Sequence, residues 1–167
     1  MINNEHEQLS LAVYSLKKVG FRYGMYAFVT GCDDFSYTIG ALLLHCGAAG
    51  VTIGVNTPDE QKKAESLGFT PYTYGSNNGE SAKTLTDGRL FDLVFATTGN
   101  ASAYDAFIDM LKRGGVVAIL ARLDTPYTFF VKTAVRSQIR FIGVQSFDER
   151  SAEIAKDLAA KDWRARR

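Results

Sequence analysis

The sequence predicts a doubly wound α/β domain, a six-stranded parallel sheet in the order 3-2-1-4-5-6 with helices on both faces. Three observations carry this reading. Short β-rich runs alternate with longer helical patterns along the whole chain. The runs are mostly continuous in apolar residues, as strands covered on both faces of a parallel sheet require. Between them stand the residues that start and stop helices, and right-handed crossovers then fix the strand order.

A helix over Gln8 to Val19 precedes the first strand, Met25 to Thr30. The next helix covers Tyr37 to Cys46 and closes at Gly47, before a second strand from Val51 to Val55. Thr57-Pro58-Asp59-Glu60 opens the helix Pro58 to Leu67 with an N-cap, a first-turn proline and acids against the helix dipole. Gly68 ends that helix as a C-cap glycine does. The third strand is Thr70 to Tyr74, and Asn77-Asn78-Gly79 reads as a turn. The fourth strand, Leu90 to Ala96, leads to a helix over Ala101 to Lys112 that Gly114-Gly115 closes. The fifth strand (Val116 to Leu120), a helix (Tyr127 to Arg136), the sixth strand (Ile139 to Val144) and a last helix (Glu149 to Ala160) complete the pattern. One domain is expected over 1–167: a leading helix over 1–20, sheet and crossover helices over 21–147, and a final helix with a basic tail over 148–167.

Composition excludes several function classes. The chain has 167 residues, 46% apolar and 22% charged, which suits one globular domain with a real core. A formal net charge of +1 gives no general attraction to nucleic acid or anionic membrane. The basic cluster Asp162-Trp163-Arg164-Ala165-Arg166-Arg167 reads as a solvated terminus. No apolar run reaches the roughly 18 residues of a membrane span. The N-terminus is acidic and polar, unlike a signal peptide, so the expected compartment is the cytoplasm. Two cysteines make neither a disulfide framework nor a metal set. Cys46 and His45 read as packed residues of an apolar helix, and Cys32 as accessible in a turn. His6 has no partner at ligand spacing.

The turn after the first strand is the one stretch with functional content. Tyr26-Ala27-Phe28-Val29 runs into Thr30-Gly31, where a dinucleotide fold places the first glycine of G-x-G-x-x-G. The next two glycine positions fall on Asp33 and Ser36. A carboxylate about 4 Å from a phosphate charge costs roughly 4 kcal/mol at an effective dielectric near 20, on the order of a thousandfold in affinity. The helix dipole returns only about half a charge. Asp33 and Asp34 instead suit N-caps, accepting the helix-start N–H groups that a phosphate would otherwise take.

Segment by segment, the chain resembles the coenzyme-binding (Rossmann) domain of the medium-chain dehydrogenase/reductase superfamily, in its zinc-type alcohol, polyol and threonine dehydrogenase branch. Glu7 to Leu16, EQLSLAVYSL, is similar to that family's E-P-L-S-V-A-x-H-A-L helix. Gly47-Ala48-Ala49-Gly50-Val51 and the helix Glu60 to Gly68 resemble the segments on either side of its second strand. Phe91 to Asn100, FDLVFATTGN, resembles the D-V-V-x-x-A-T-G-N strand near the nicotinamide, and Leu111 to Val117 the L-R-x-G-G-x-V turn.

The resemblance implies a candidate cofactor-binding set: Gly31, Cys32, Asp33, Asp34, Phe35 and Ser36 in the turn, Asn56 and Thr57 after the second strand, and Thr97, Thr98 and Gly99 after the fourth. Asn56 replaces the acid that takes the adenosine ribose, which weakens any preference for NAD over NADP. The family's catalytic domain, with its zinc-binding Cys and His, has no counterpart in this sequence. Glu7 alone matches a position near that zinc, so no catalytic or metal residue is assigned. The expected cofactor is therefore none, or NAD(P) held weakly, and no zinc. Restoring the glycines, Asp33→Gly with Ser36→Gly, is expected to raise NAD(P) affinity. Three readings stand: a degenerate coenzyme domain without redox chemistry of its own, an oxidoreductase part whose zinc domain is on another chain or removed, and a nucleotide or small-ligand sensor. The last strand, Ile139 to Val144, is an apolar sheet edge, and the resemblance implies a homodimer paired through it.

Overall fold

Helix α1 (Glu5–Val19) starts where the Asn4 side chain accepts the Glu7 N–H and ends at Gly20 in the left-handed conformation. The computed structural model describes residues 4–75, 77–121, 131–161 and 163, apart from the side chains of residues 101 and 102. The elements then run β1 (Tyr26–Val29), α2 (Asp34–His45), β2 (Gly50–Val55), α3 (Pro58–Ser66), β3 (Thr70–Thr73), α4 (Asn78–Leu85) and β4 (Phe91–Ala96). They finish with α5 (Ala101–Met110), β5 (Leu111–Ile119), α6 (Val131–Ser137), β6 (Arg140–Gly143) and α7 (Glu149–Ala159). All pairings are parallel, in the order β3-β2-β1-β4-β5-β6. The doubly wound fold expected from the sequence is the fold of this chain.

Alternation along the strands builds two cores. Ala27 and Val29 of β1 face one side, joining Leu9, Ile39, Leu42, Ala64 and Ala155 from α1, α2, α3 and α7. Phe28 faces the other, with Ala82 of α4 and Tyr104 and Phe107 of α5. Both faces of β1 and β4 are therefore covered, which is why these strands read as unbroken apolar runs. At the first core's edge Lys17 of α1 pairs with Asp148, the N-cap of α7, at 2.7 Å.

Three local readings are corrected. Asn77-Asn78-Gly79 is not a free turn but the entry to α4, with Asn77 in the N-cap position. Asparagine and glycine serve helix starts and turns alike, so their local chemistry does not separate the two. The helix expected to reach Lys112 ends at Met110, because Leu111 already pairs with Phe91. The register then jumps to Leu93 with Val116, and the intervening residues bulge out, with Gly114 at φ +78°. In that bulge Lys112 reaches the Asp92 carboxylate, which also accepts the Tyr26 N–H at 2.8 Å. Cys46 and His45 are exposed, since α2 ends at His45 and the chain leaves the buried stripe there. His45 keeps one packing role, an edge-on contact with the Trp163 ring at 5.7 Å.

The first four residues of the helix expected over Tyr127 to Arg136, and residues 162 and 164–167 of the tail, lie outside the described residues. Trp163, expected in the solvated tail, is instead buried in the first core because its ring packs there. Among the described residues no helix is long and apolar enough to cross a membrane.

Candidate functional site

Four strand ends and the start of α2 meet at the carboxyl edge of the sheet, the edge where doubly wound folds bind ligands. Val29 ends β1, and Thr30 to Asp33 carry the chain into α2. Asp33 is the N-cap: its Oδ1 accepts the Ser36 N–H at 2.8 Å and the Ser36 hydroxyl at 2.6 Å. Ser36 Oγ lies 2.8 Å from Thr97 Oγ1, and Thr97 Oγ1 accepts the Gly31 N–H at 3.0 Å. Gly31 has to be glycine here: a Cβ would sit 2.7 Å from Thr97 Oγ1 and 2.8 Å from Ser36 Oγ. Buried Thr30 completes the network, its Oγ1 accepting the Thr97 and Thr98 N–H groups at 3.1 and 3.4 Å.

A second cluster closes the end of β2. Glu60 and Thr57 form a capping box on α3, and Glu60 Oε2 accepts the N–H groups of Asn56 at 2.7 Å and Thr57 at 3.1 Å. The Cys32 thiol lies near the same carboxylate. These bonds, that of the Asn56 N–H foremost, hold the Glu60 carboxyl below its ordinary pKa. Burial, reinforced by the nearby Glu60 carboxylate, pushes the Cys32 thiol up to about 11, so it stays neutral at pH 7. Tyr74, just past β3, donates to the Thr30 carbonyl at 2.6 Å.

The structure thus brings Gly31, Asp33, Ser36 and Thr97 into one hydrogen-bonded set, with Thr98 joined through Thr30. Cys32, Asn56 and Thr57 gather around Glu60. Asp34 and Phe35 do not face this crevice. The exposed Asp34 carboxylate pairs with Lys63 at 3.6 Å, and Phe35 packs against the core. Lys63 also lies over the Tyr37 ring, 4.7 Å from its centroid. Gly99 lies in the loop after β4, where Thr98 Oγ1 accepts the Asn100 N–H at 3.3 Å. Sequence reasoning missed Thr30, Glu60 and Tyr74. Glu60 was within reach, as the fourth residue of a T-x-x-E capping box. Tyr74 carries no local signal. A groove of about 880 Å³ runs along the outer face of α2, between α1, α3 and Trp163, but none of Gly31, Asp33, Ser36, Glu60 or Thr97 lines it.

A family model described as zinc-binding dehydrogenase matches residues 38–161. The chain belongs to that family. Solved structures with the same fold include L-idonate 5-dehydrogenase from Escherichia coli, at 18% identity and a TM-score of 0.82, covering 95% of this chain and 45% of that one. Galactitol-1-phosphate dehydrogenase from Escherichia coli matches at 14% identity and a TM-score of 0.83, covering 95% and 49%. A structure assigned as a zinc-binding dehydrogenase of Sinorhizobium meliloti, bound to NADP, matches at 20% and 0.80, covering 95% and 48%. At these identities the likeness is one of fold, and this zinc-binding dehydrogenase relative spans about half the length of each. No curated protein matches the chain.

Two groups implied by this family can be tested against the residues present. For zinc, no set of three or more His, Cys, Asp or Glu side chains among the described residues is placed to hold a metal ion. Glu7 is half-buried on α1. For a dinucleotide, a pyrophosphate in the turn would meet the Asp33 carboxylate and find the Gly31 and Ser36 N–H groups already bonded. The described residues offer no metal-ligand set, and the turn's own groups take two of the N–H donors that face a pyrophosphate there.

Proposed function

We propose that this chain is a coenzyme-type domain whose phosphate turn is filled by its own carboxylate, so that it binds NAD(P) weakly or not at all and transfers no hydride by itself. The observation that carries this is the Asp33 cap, which satisfies Ser36 where a pyrophosphate oxygen would otherwise accept. The fold then serves as a scaffold for interaction or assembly. A second reading has one observation in its favour, the roughly half-length match to dehydrogenases of this fold. In that reading the chain is the nucleotide domain of an alcohol or polyol oxidoreductase whose zinc domain lies on another chain or has been removed. Purified protein is expected to carry no stoichiometric zinc and to form no NADH from NAD⁺ with simple alcohols or polyols. Elemental analysis finding one zinc per chain, or turnover at 340 nm, would overturn that expectation.

Assembly belongs to the same proposal. β6 pairs only with β5 in the described sheet and carries a single charge, Arg140. The α6 valines beside it, Val131 and Val135, are 65% and 69% exposed. An apolar edge of this kind is a template for a second strand. A homodimer paired through Ile139 to Val144 is expected, with twice the chain mass by light scattering at micromolar concentration. A clean monomer mass would remove it.

A further inference from the structure

We infer that the adenosine half of the crevice is closed by the chain itself, with Tyr74 lying over the strand ends and the Glu60 carboxylate holding the N–H groups at the end of β2, so that removing the Asp33 charge alone does not open it. This rests on the reading of the crevice as a coenzyme-type site that no longer takes its ligand.

In a doubly wound fold the pyrophosphate sits at the turn after the first strand, and the ribose reaches toward the end of the second. Tyr74 crosses that route. It leaves the end of β3, passes over Gly54 of β2 and ends on the Thr30 carbonyl beyond β1. The approach is close: a Cβ at Gly54 would lie 2.3 Å from the Tyr74 hydroxyl and 2.8 Å from the Thr30 carbonyl oxygen. The ring is held edge-on by Phe28 at 6.1 Å and Tyr72 at 5.9 Å. Burial keeps its hydroxyl protonated, so it remains a donor.

The other wall closes independently. Glu60 occupies the two N–H groups at the end of β2. A nucleotide would have to displace the Glu60 carboxylate from those N–H groups and move the tyrosine, leaving the Thr30 carbonyl to find another donor. Neither obstacle depends on Asp33. Asp33→Gly with Ser36→Gly therefore leaves both costs in place, and NAD(P) binding stays weaker than about micromolar while both remain. The change also removes the hydroxyl that joins the turn to Thr97.

NADH fluorescence titration separates the charge from the closure. The proteins compared are the unmodified chain, Asp33→Gly, Asp33→Gly with Tyr74→Ala, and Asp33→Gly with Glu60→Ala, with folding checked by circular dichroism. Glu60 stands at an exposed helix start, so its variant keeps the comparison decisive if the Tyr74 variant does not fold. Asp33→Gly alone is expected to remain weaker than about micromolar, and each double variant to bind at least about tenfold tighter than Asp33→Gly. Neutral adenosine, on which the Asp33 charge has little hold, is expected to bind the double variants and not the single one. Asp33→Gly binding as tightly as the doubles would overturn the closure and leave the proposed function standing, and so would folded doubles no tighter than the single variant. Micromolar NADH binding by the unmodified chain would overturn both.

Discussion

Phe28→Ala is expected to lower the stability of the chain by about 3–5 kcal/mol, the usual cost of emptying a fully buried phenylalanine site. Phe28 is fully buried in the middle of β1. Its ring lies 5.5 Å from Phe91, 6.0 Å from Tyr72 and 6.1 Å from Tyr74. Three of these rings are on strands, whose backbones cannot move in to fill the space without breaking the parallel ladder. Against a total of about 5–15 kcal/mol for a domain, the loss is a large share. Urea denaturation followed by circular dichroism measures it. A loss below about 1.5 kcal/mol would mean that the aromatic cluster repacks, and that Tyr74 is held by its bond to Thr30 rather than by its neighbours. The variant therefore bears on the crevice as well as on the core.

Much of the fold was legible because the strands are covered on both faces. A run such as Phe91 to Ala96 admits few other readings once it is bounded by turn residues and followed by helical periodicity. Gly47 and Gly68 were legible for a different reason: each ends a helix at positive φ, where glycine carries no steric penalty. Tertiary context decided what was misread. Leu111 is an ordinary helix residue by sequence, and only its pairing with Phe91 ends α5 early. Asn78 looks like a turn residue, yet its side chain accepts the Tyr72 hydroxyl as α4 begins.

The site divides along the same line. Asp33 capping its own helix is a local event, three residues in extent, and the sequence showed it. The link from Ser36 to Thr97 spans 61 residues, and that from Tyr74 to Thr30 spans 44. Nothing in a linear pattern says which hydroxyl will meet which carbonyl over such separations. Glu60 lies between these cases. Its place in the capping box was readable, but its nearness to the phosphate turn requires β1 and β2 to be neighbours.

Affinity for the reduced cofactors carries the other large effect. A phosphate charge about 4 Å from the Asp33 carboxylate is opposed by roughly 4 kcal/mol at an effective dielectric near 20, on the order of a thousandfold. A glycine turn of micromolar affinity would thereby become one of about millimolar affinity. A divalent cation bridging carboxylate and phosphate would relieve part of that repulsion, so magnesium is the natural control. The decisive measurement is calorimetric titration of the unmodified chain with NADH and NADPH, with and without Mg²⁺. The account predicts no saturable heat below about millimolar concentrations of either cofactor. Micromolar binding of either one, without magnesium, would contradict it.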